Sequence, residues 1–300
     1  MLREERKRGD SEHAELIEEC LVAGKIVPVE ISLALVRNAM DRACLEGGVY
    51  GQPIFLVDGF PRNFDNLGGW TKVMPTAASA MGALVYDCPM KVLEKRILSR
   101  AETSGRSDDN LESARKRFKT FQSQTMPVVH ALEEVENIQV KQGKDSIGML
   151  HVQHIQGDRS VEEVWDSTKQ AMNSFVKNDV LTANSQLLQA ISEKNFNTYS
   201  NLCSREMLFE HDETTSIPDE SQLRLSFEKY ELNFGSGLES VVVDSDVEVI
   251  EGTKAVVTYE RQLKNELGEI ITNFSETRVW SHEAQGWLCV HFVRKPSRHS

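Results

Sequence analysis

The chain has 300 residues, 40% of them hydrophobic and 27% charged, which is enough apolar material for two ordinary globular cores rather than one. A formal net charge of -12 argues against a general nucleic-acid-binding surface, because phosphate backbones are held by clustered Lys and Arg; a few local arginines can still hold an anionic ligand. The five cysteines, Cys20, Cys44, Cys88, Cys203 and Cys289, are scattered without a CxxC pair, which argues against a zinc ribbon or disulfide framework and for a reducing compartment.

The opening MLREERKRGDSEH is charged from its third residue, unlike a secretory h-region, and no apolar run approaches a membrane span. The expectation is a soluble, cytoplasmic protein with neither membrane nor nucleic acid as partner. Apolar spacing in HAELIEECLVAG and VEISLALVRNAMDRACL predicts two amphipathic helices separated by the turn Gly24-Lys25-Ile26-Val27-Pro28. The short run IFLVDG, Ile54 to Gly59, predicts a buried parallel strand, followed by a helix from about Asp65 to Val73 and a second buried strand, GALVYDCP. Helices are expected over Met90 to Ala101 and Asp109 to Val135, a last strand at HVQHI after a polar insertion, and a closing helix from about Ser160 to Lys177. That alternation is the signature of an α/β parallel-sheet domain.

The pattern changes after Asn178. A helix is expected from Val180 to about Ala190, continuing through NFNTYSNLC, and another over SQLRLSFEKYELNF. Four β-rich segments follow, LESVVVDSDVEVI, KAVVTYERQL, EIITNFSETRVWS and GWLCVHFVR, the last three joined by short turns into a meander. Helices followed by an antiparallel sheet indicate an α+β domain.

DGFPRNFDN, Asp58 to Asn66, stands at the carboxyl end of an expected strand, where open α/β sheets place ligands. Together with LREERKRGDSEHAELIEECLVAGKIVPVEI, FLVDGFPRNFDNLGGW and SGRSDDNLESARKRF, it resembles the UMP/CMP kinase branch of the adenylate kinase family over residues 1–177. The resemblance implies phosphoryl transfer from ATP with Mg2+ to CMP or UMP, with AMP as a further acceptor. It places Arg3 and Arg62 on the acceptor phosphate, Lys25, Ile26 and Val27 as backbone contacts to its nucleoside, and Gly59, Phe60 and Pro61 in the loop that carries Arg62. By the same resemblance Asn66 reads the base, and Arg100, Arg106 and Arg117 clamp the transferring phosphates in their lid and catalytic roles. Asp58 lies behind the water shell of a Mg2+ ion. Such chemistry rests on positioning and on neutralising anionic oxygens.

One motif of that family does not occur in the sequence. Its P-loop, GxxxxGK followed by Ser or Thr, cradles phosphate on backbone N–H groups, and the only Gly-Lys pairs here are Gly24-Lys25 and Gly143-Lys144, in the wrong context. The family places that loop upstream of the position of Met1, and its first strand between those corresponding to IFLVDG and GALVYDC. Two readings follow from this: a truncated sequence, or a degenerate kinase domain that leaves two strand edges without a partner.

SETRVW, GWLCVHF and LLQAISEKNFNTYSNLC resemble the association (hub) domain of calcium/calmodulin-dependent protein kinase II, over residues 180–300. The resemblance implies a cone-shaped α+β fold of the SnoaL-like, ketosteroid isomerase-like kind, and self-association into rings of stacked dimers. No HRD, DFG or APE of a protein kinase is present. By strand alternation Arg261 shares a face with Val257, Tyr259 and Leu263, Arg278 with Phe274 and Trp280, and Arg294 with Leu288, Val290 and Phe292. Arginines on apolar faces either pair internally, for instance with Glu276, or line a pocket for a carboxylate or similar small anion; they also match pocket arginines of the hub family. Trp287, Cys289 and Val293 fall on the other face of the last strand, expected to meet a second copy. His151 and His154 show no partners in the sequence, and His291 reads as a core or rim residue. An enzyme assembled by a hub and an inert, monophosphate-binding scaffold are the competing readings.

Overall fold

The computed structural model describes residues 1–46, 53–75, 78, 80–104, 110–141, 151–211, 214–216, 223–225, 227–228, 238–250, 252–283 and 285–296. It forms two compact units, the first ending near Ala171 and the second beginning at Met172. None of its helices is long and apolar enough to cross a membrane, among the described residues.

The first unit opens with α1 (Leu2–Glu5), α2 (Ala14–Ala23) and α3 (Val29–Glu46). The apolar stripes that predict α2 and α3 are the faces they bury: Ile17, Cys20, Val27 and Ile31 form one cluster. The rest of the α3 stripe, Val29, Leu33, Val36 and Met40, packs with Met74 and the rings of Phe60 and Trp70. α4 (Phe64–Val73) is capped by Asn63, whose side chain accepts the Asn66 N–H. Gly69 lets α4 approach α3, since a Cβ there would stand 2.5 Å from Val29 Cγ2.

β1 (Gly82–Asp87) and β2 (His151–Gln156) pair in parallel. Between them run α5 (Met90–Ser104), α6 (Leu111–Thr120), a π-helical turn over Phe121–Thr125, and α7 (Met126–Lys141), where the sequence reads as one helix from Asp109. Val129 of α7 packs on Val85 and Val152 of the two strands. The strand expected at Ile54–Gly59 is not formed: residues 53–57 carry no ladder, and Ile54 and Leu56 are exposed at 47% and 69%. A strand needs a partner to satisfy its backbone, and among the described residues none lies beside this segment.

The helices expected over Ser160–Lys177 and Val180–Ala190 are one, α8 (Val161–Ser192), because nothing in Lys177-Asn178-Asp179-Val180 breaks a helix. It starts with a reciprocal cap, Glu163 N–H to Ser160 Oγ at 3.2 Å and Ser160 N–H to Glu163 Oε2 at 3.0 Å. The second unit continues with α9 (Phe196–Asn201) and a six-stranded sheet of β3 (Cys203–His211), β4 (Thr214–Ser216), β5 (Glu239–Ile250), β6 (Lys254–Lys264), β7 (Ile270–Glu283) and β8 (Gly286–Pro296). The strand order is β4-β3-β8-β7-β6-β5. β5 to β8 form the expected antiparallel meander, but β3 adds in parallel to β8, so the sheet is mixed and the architecture α+β. Most of the helix expected over SQLRLSFEKYELNF lies outside the described residues.

A bulge overturns the alternation expected for β8. Trp280 pairs with Cys289, but Val279 pairs with His291, which leaves Val290 as an extra residue. Cross-strand partners share a face, so Cys289, Phe292 and Arg294 join Trp280, Arg278 and Glu276 on the interior side. Phe292 therefore lies with Cys289 rather than with Leu288. Trp287 and Cys289 are themselves buried within the unit, at 6% and 0%, and are not left for a second copy.

Candidate functional site

The loop Asp58–Arg62 is shaped by its own residues. Gly59 has φ 68°, a left-handed conformation that glycine adopts without strain, and the Phe60–Pro61 peptide is cis. The Arg62 Nε–H donates to Gly59 O at 2.9 Å, the Arg62 N–H to Asn66 Oδ1 at 3.1 Å, and the Thr125 hydroxyl to Arg62 O at 2.8 Å. Arg62 is thus held at its amide, its carbonyl and its side chain. The π-helical turn that separates α6 from α7 carries Thr125, and π turns of this kind are frequent at functional sites.

The Arg62 guanidinium has its pKa lowered, first by the crowding of surrounding protein and then by the positive charges of Arg117 and Arg3, while Asp58 opposes the shift. Arg3 from α1 and Arg117 from α6 therefore lie near enough to Arg62 for their positive charges to act on it. The turn carrying Lys25, Ile26 and Val27 joins this group through the Thr120 hydroxyl, which donates to Gly24 O at 3.2 Å across from α6. Lys25 N–H closes that turn on Cys20 O at 2.9 Å, leaving its side chain exposed. Asn66 is 2% exposed, and its Nδ2 has no hydrogen-bond partner among the described residues. Arg100 lies on an exposed part of α5, and Arg106 falls outside the described residues.

Mg2+ demands octahedral oxygen coordination and usually reaches a protein through substrate phosphates and one or two carboxylates. Among the described residues no three His, Cys, Asp or Glu side chains gather as a metal cage. Asp58, exposed and within the field of Arg62, fits a role through water toward an ion carried by nucleotide phosphates and does not fit a role as a direct ligand in a protein-built site.

In the second unit the three arginines singled out by alternation do meet, and Glu276 is their common partner. Arg294 donates to Glu276 Oε1 from both Nε and Nη2 at 2.7 Å. Arg261 Nη1 stands 3.7 Å from the same oxygen, and Arg278 Nη2 stands 3.8 Å from Oε2. Arg278 also donates through Nε to the Tyr259 hydroxyl at 2.8 Å and lies over the Phe292 ring at 3.9 Å; Arg261 Nε donates to Ser240 Oγ at 2.7 Å. Arg261, Glu276 and Arg278 are 3%, 0% and 0% exposed.

Three groups escape sequence reasoning. His154 of β2 finds its partners on other elements: Nδ1 lies 2.6 Å from Asp87 Oδ2 at the end of the paired strand β1, and Nε2 lies 2.7 Å from Glu133 Oε1 of α7. The two hydrogen bonds, to Asp87 first, raise its pKa. In the second unit Trp287 Nε1–H donates to Asp179 Oδ2 at 2.9 Å, with His282 edge-on to the indole at 4.9 Å. Burial raises the Asp179 pKa and lowers that of His282. Arg96 of α5 donates to Gly157 O and Arg159 O, tying the helix to the end of β2. All are contacts across elements, and no local motif announces them.

Comparison with known proteins gives the two halves different relatives. The adenylate kinase family model matches residues 1–137, and the model of the calcium/calmodulin-dependent protein kinase II association domain matches residues 176–298. The UMP-CMP kinase of Homo sapiens is 41% identical over 170 residues, covering 57% of this chain and 79% of that protein. The UMP-CMP kinase of Danio rerio is 42% identical over 169 residues, covering 56% and 78%. Among solved structures, the association domain of C. elegans CaMKII is 24% identical and covers 43% of this chain and 98% of that one, with a TM-score of 0.34. The chain belongs to the adenylate kinase family through a UMP-CMP kinase-like N-terminal part, and behind it carries a calcium/calmodulin-dependent protein kinase II association domain.

Proposed function

We propose that the first unit is an acceptor site for a nucleoside monophosphate, CMP or UMP before AMP, and that the second unit gathers copies of the chain. The observation that carries the first part is the shared field of Arg3, Arg62 and Arg117 beside the buried Asn66 amide. Three guanidiniums suit a phosphate dianion, and a buried N–H donor suits a base. In this reading Arg3 and Arg62 hold the phosphate, the Lys25–Val27 backbone and the Gly59–Pro61 loop position the nucleoside, and Arg100, Arg106 and Arg117 meet the phosphoryl group in transfer. ATP and Mg2+ supply the donor phosphate and its neutralisation when bound.

The 300 residues contain no GxxxxGK[ST] segment to cradle donor phosphates, which supports acceptor binding without appreciable turnover by the polypeptide of this sequence. Removing such electrostatic contacts costs about 2.7–4 kcal/mol apiece in comparable sites. A coupled assay with ATP and CMP or UMP separates the two readings. Turnover at ordinary kinase rates, abolished by Arg62→Ala, establishes a working kinase; silence together with CMP binding by calorimetry establishes a monophosphate-binding scaffold. For the second unit, convergence of Arg261, Arg278 and Arg294 on the buried Glu276 supports internal pairing over a small-anion pocket, and self-association is the role left to this unit.

A further inference from the structure

α6 continues into α7 through the π-helical turn over Phe121–Thr125, in which the Met126 N–H bonds to Phe121 O five residues back. An α-helix advances about 100° per residue, so two residues five apart point about 140° away from each other. A π turn bonds each residue to the fifth one along and brings such a pair close to one line. Thr120 and Thr125 are that pair. Both are half-buried while the four residues between them, Phe121 to Gln124, are exposed, so the turn meets the protein with its two threonines. Each hydroxyl donates to a backbone carbonyl of a different segment, Thr120 to Gly24 O at 3.2 Å and Thr125 to Arg62 O at 2.8 Å. The first segment lies close against the same helix, since a Cβ on Gly24 would stand 3.2 Å from Lys116 Cβ and 3.7 Å from Arg117 N. A carbonyl only accepts, so both bonds depend on the hydroxyls as donors.

Resting on the reading of this region as a monophosphate site, we infer that the π turn sets the span between the two backbone walls of that site, with Thr120 and Thr125 as positioning residues. One wall is the turn that carries Lys25, Ile26 and Val27; the other is the loop that carries Arg62. A nucleotide whose nucleoside meets the first and whose phosphate meets the second finds them at the separation the two hydroxyls fix. Holding that separation in the free protein lowers the ordering cost of binding, and small misplacements of such walls are expensive.

Calorimetry on the full chain with CMP tests the inference. Thr120→Val and Thr125→Val each remove one hydroxyl at nearly constant shape, and each is expected to weaken CMP binding about three- to tenfold, the worth of one hydrogen bond. Thr125→Ser keeps the donor and is expected to bind CMP like the parent chain. With both valines in one chain the loss is expected to be smaller than the product of the two single factors, because releasing either wall already frees the span. Melting profiles like the parent's show that the valine variants are folded, and Thr120→Ala and Thr125→Ala take their place where one is not. Parent-like CMP affinity in both single variants, a Thr125→Ser loss equal to that of Thr125→Val, or factors that simply multiply overturn the shared span and leave the acceptor site standing. Failure of the parent chain to bind CMP overturns the site and the positioning role together.

Discussion

Replacing Glu276 with Gln removes the single carboxylate on which Arg261, Arg278 and Arg294 converge, in a place where Glu276 is 0% exposed. Glutamine keeps one oxygen for the paired 2.7 Å contacts of Arg294, but it carries no charge and places an NH2 group where Oε2 faces Arg278. Breaking a buried pair by removing one partner costs about 3–5 kcal/mol, because the opposite charges stay buried. For a domain of roughly 120 residues, each kcal/mol is worth about 3–5 °C, so the melting transition of the second unit is expected to fall by roughly 10–20 °C. Differential scanning calorimetry of the full chain reads this, with the first unit's transition as an internal reference. Added formate or acetate is expected to recover part of the loss in Glu276→Gln and to do less for the parent chain, since the variant leaves the guanidiniums to a small carboxylate. A transition within about 2 °C of the parent refutes the reasoning: Glu276 would then not be what balances the arginines.

Arg62→Ala is expected to weaken CMP binding by about 10- to 100-fold, the worth of a charge-assisted hydrogen bond, and calorimetry with unchanged affinity contradicts the acceptor site. His154 lies within hydrogen-bonding distance of a carboxylate at each ring nitrogen, an arrangement that needs both nitrogens protonated. Its raised pKa means a stabilisation fully present below about pH 6.5, the unfolded value, and lost as pH rises through the folded one. Melting of the first unit across this range is expected to show that loss, and His154→Gln to flatten it; an unchanged slope in the variant counts against the clamp. For assembly, Trp287 serves the fold through Asp179 and is the wrong probe; Val279, on the face opposite Trp280, is half-buried. Light scattering across dilution is expected to show a multimer for the full chain and a smaller particle for Val279→Glu, and a monomeric parent at micromolar concentration refutes self-association.

Local patterns along the chain are legible without coordinates. Amphipathic spacing places α2, α3, β1, β2 and β5 to β8, and DGFPRNFDN with the arginines around it marks the loop that the structure brings beside Arg3 and Arg117. Alternation also finds the arginine-bearing faces of β6 and β7, since their register runs without a break from Ala255 to Leu263. The remaining features are set by partners far along the chain. The extra residue at Val290 turns Phe292 and Arg294 to the opposite face from the one simple alternation gives, and only the pairing with β7 reveals it. Residues 54–57 read as a strand by composition, yet a strand exists only where a neighbour satisfies its backbone, and none of the described residues does so. The partners of His154, the hold of Thr125 on Arg62 and that of Asp179 on Trp287 span 21 to 108 positions in sequence. Such contacts are long-range packing facts: side-chain type says what each group can donate or accept, and only the folded chain says to whom.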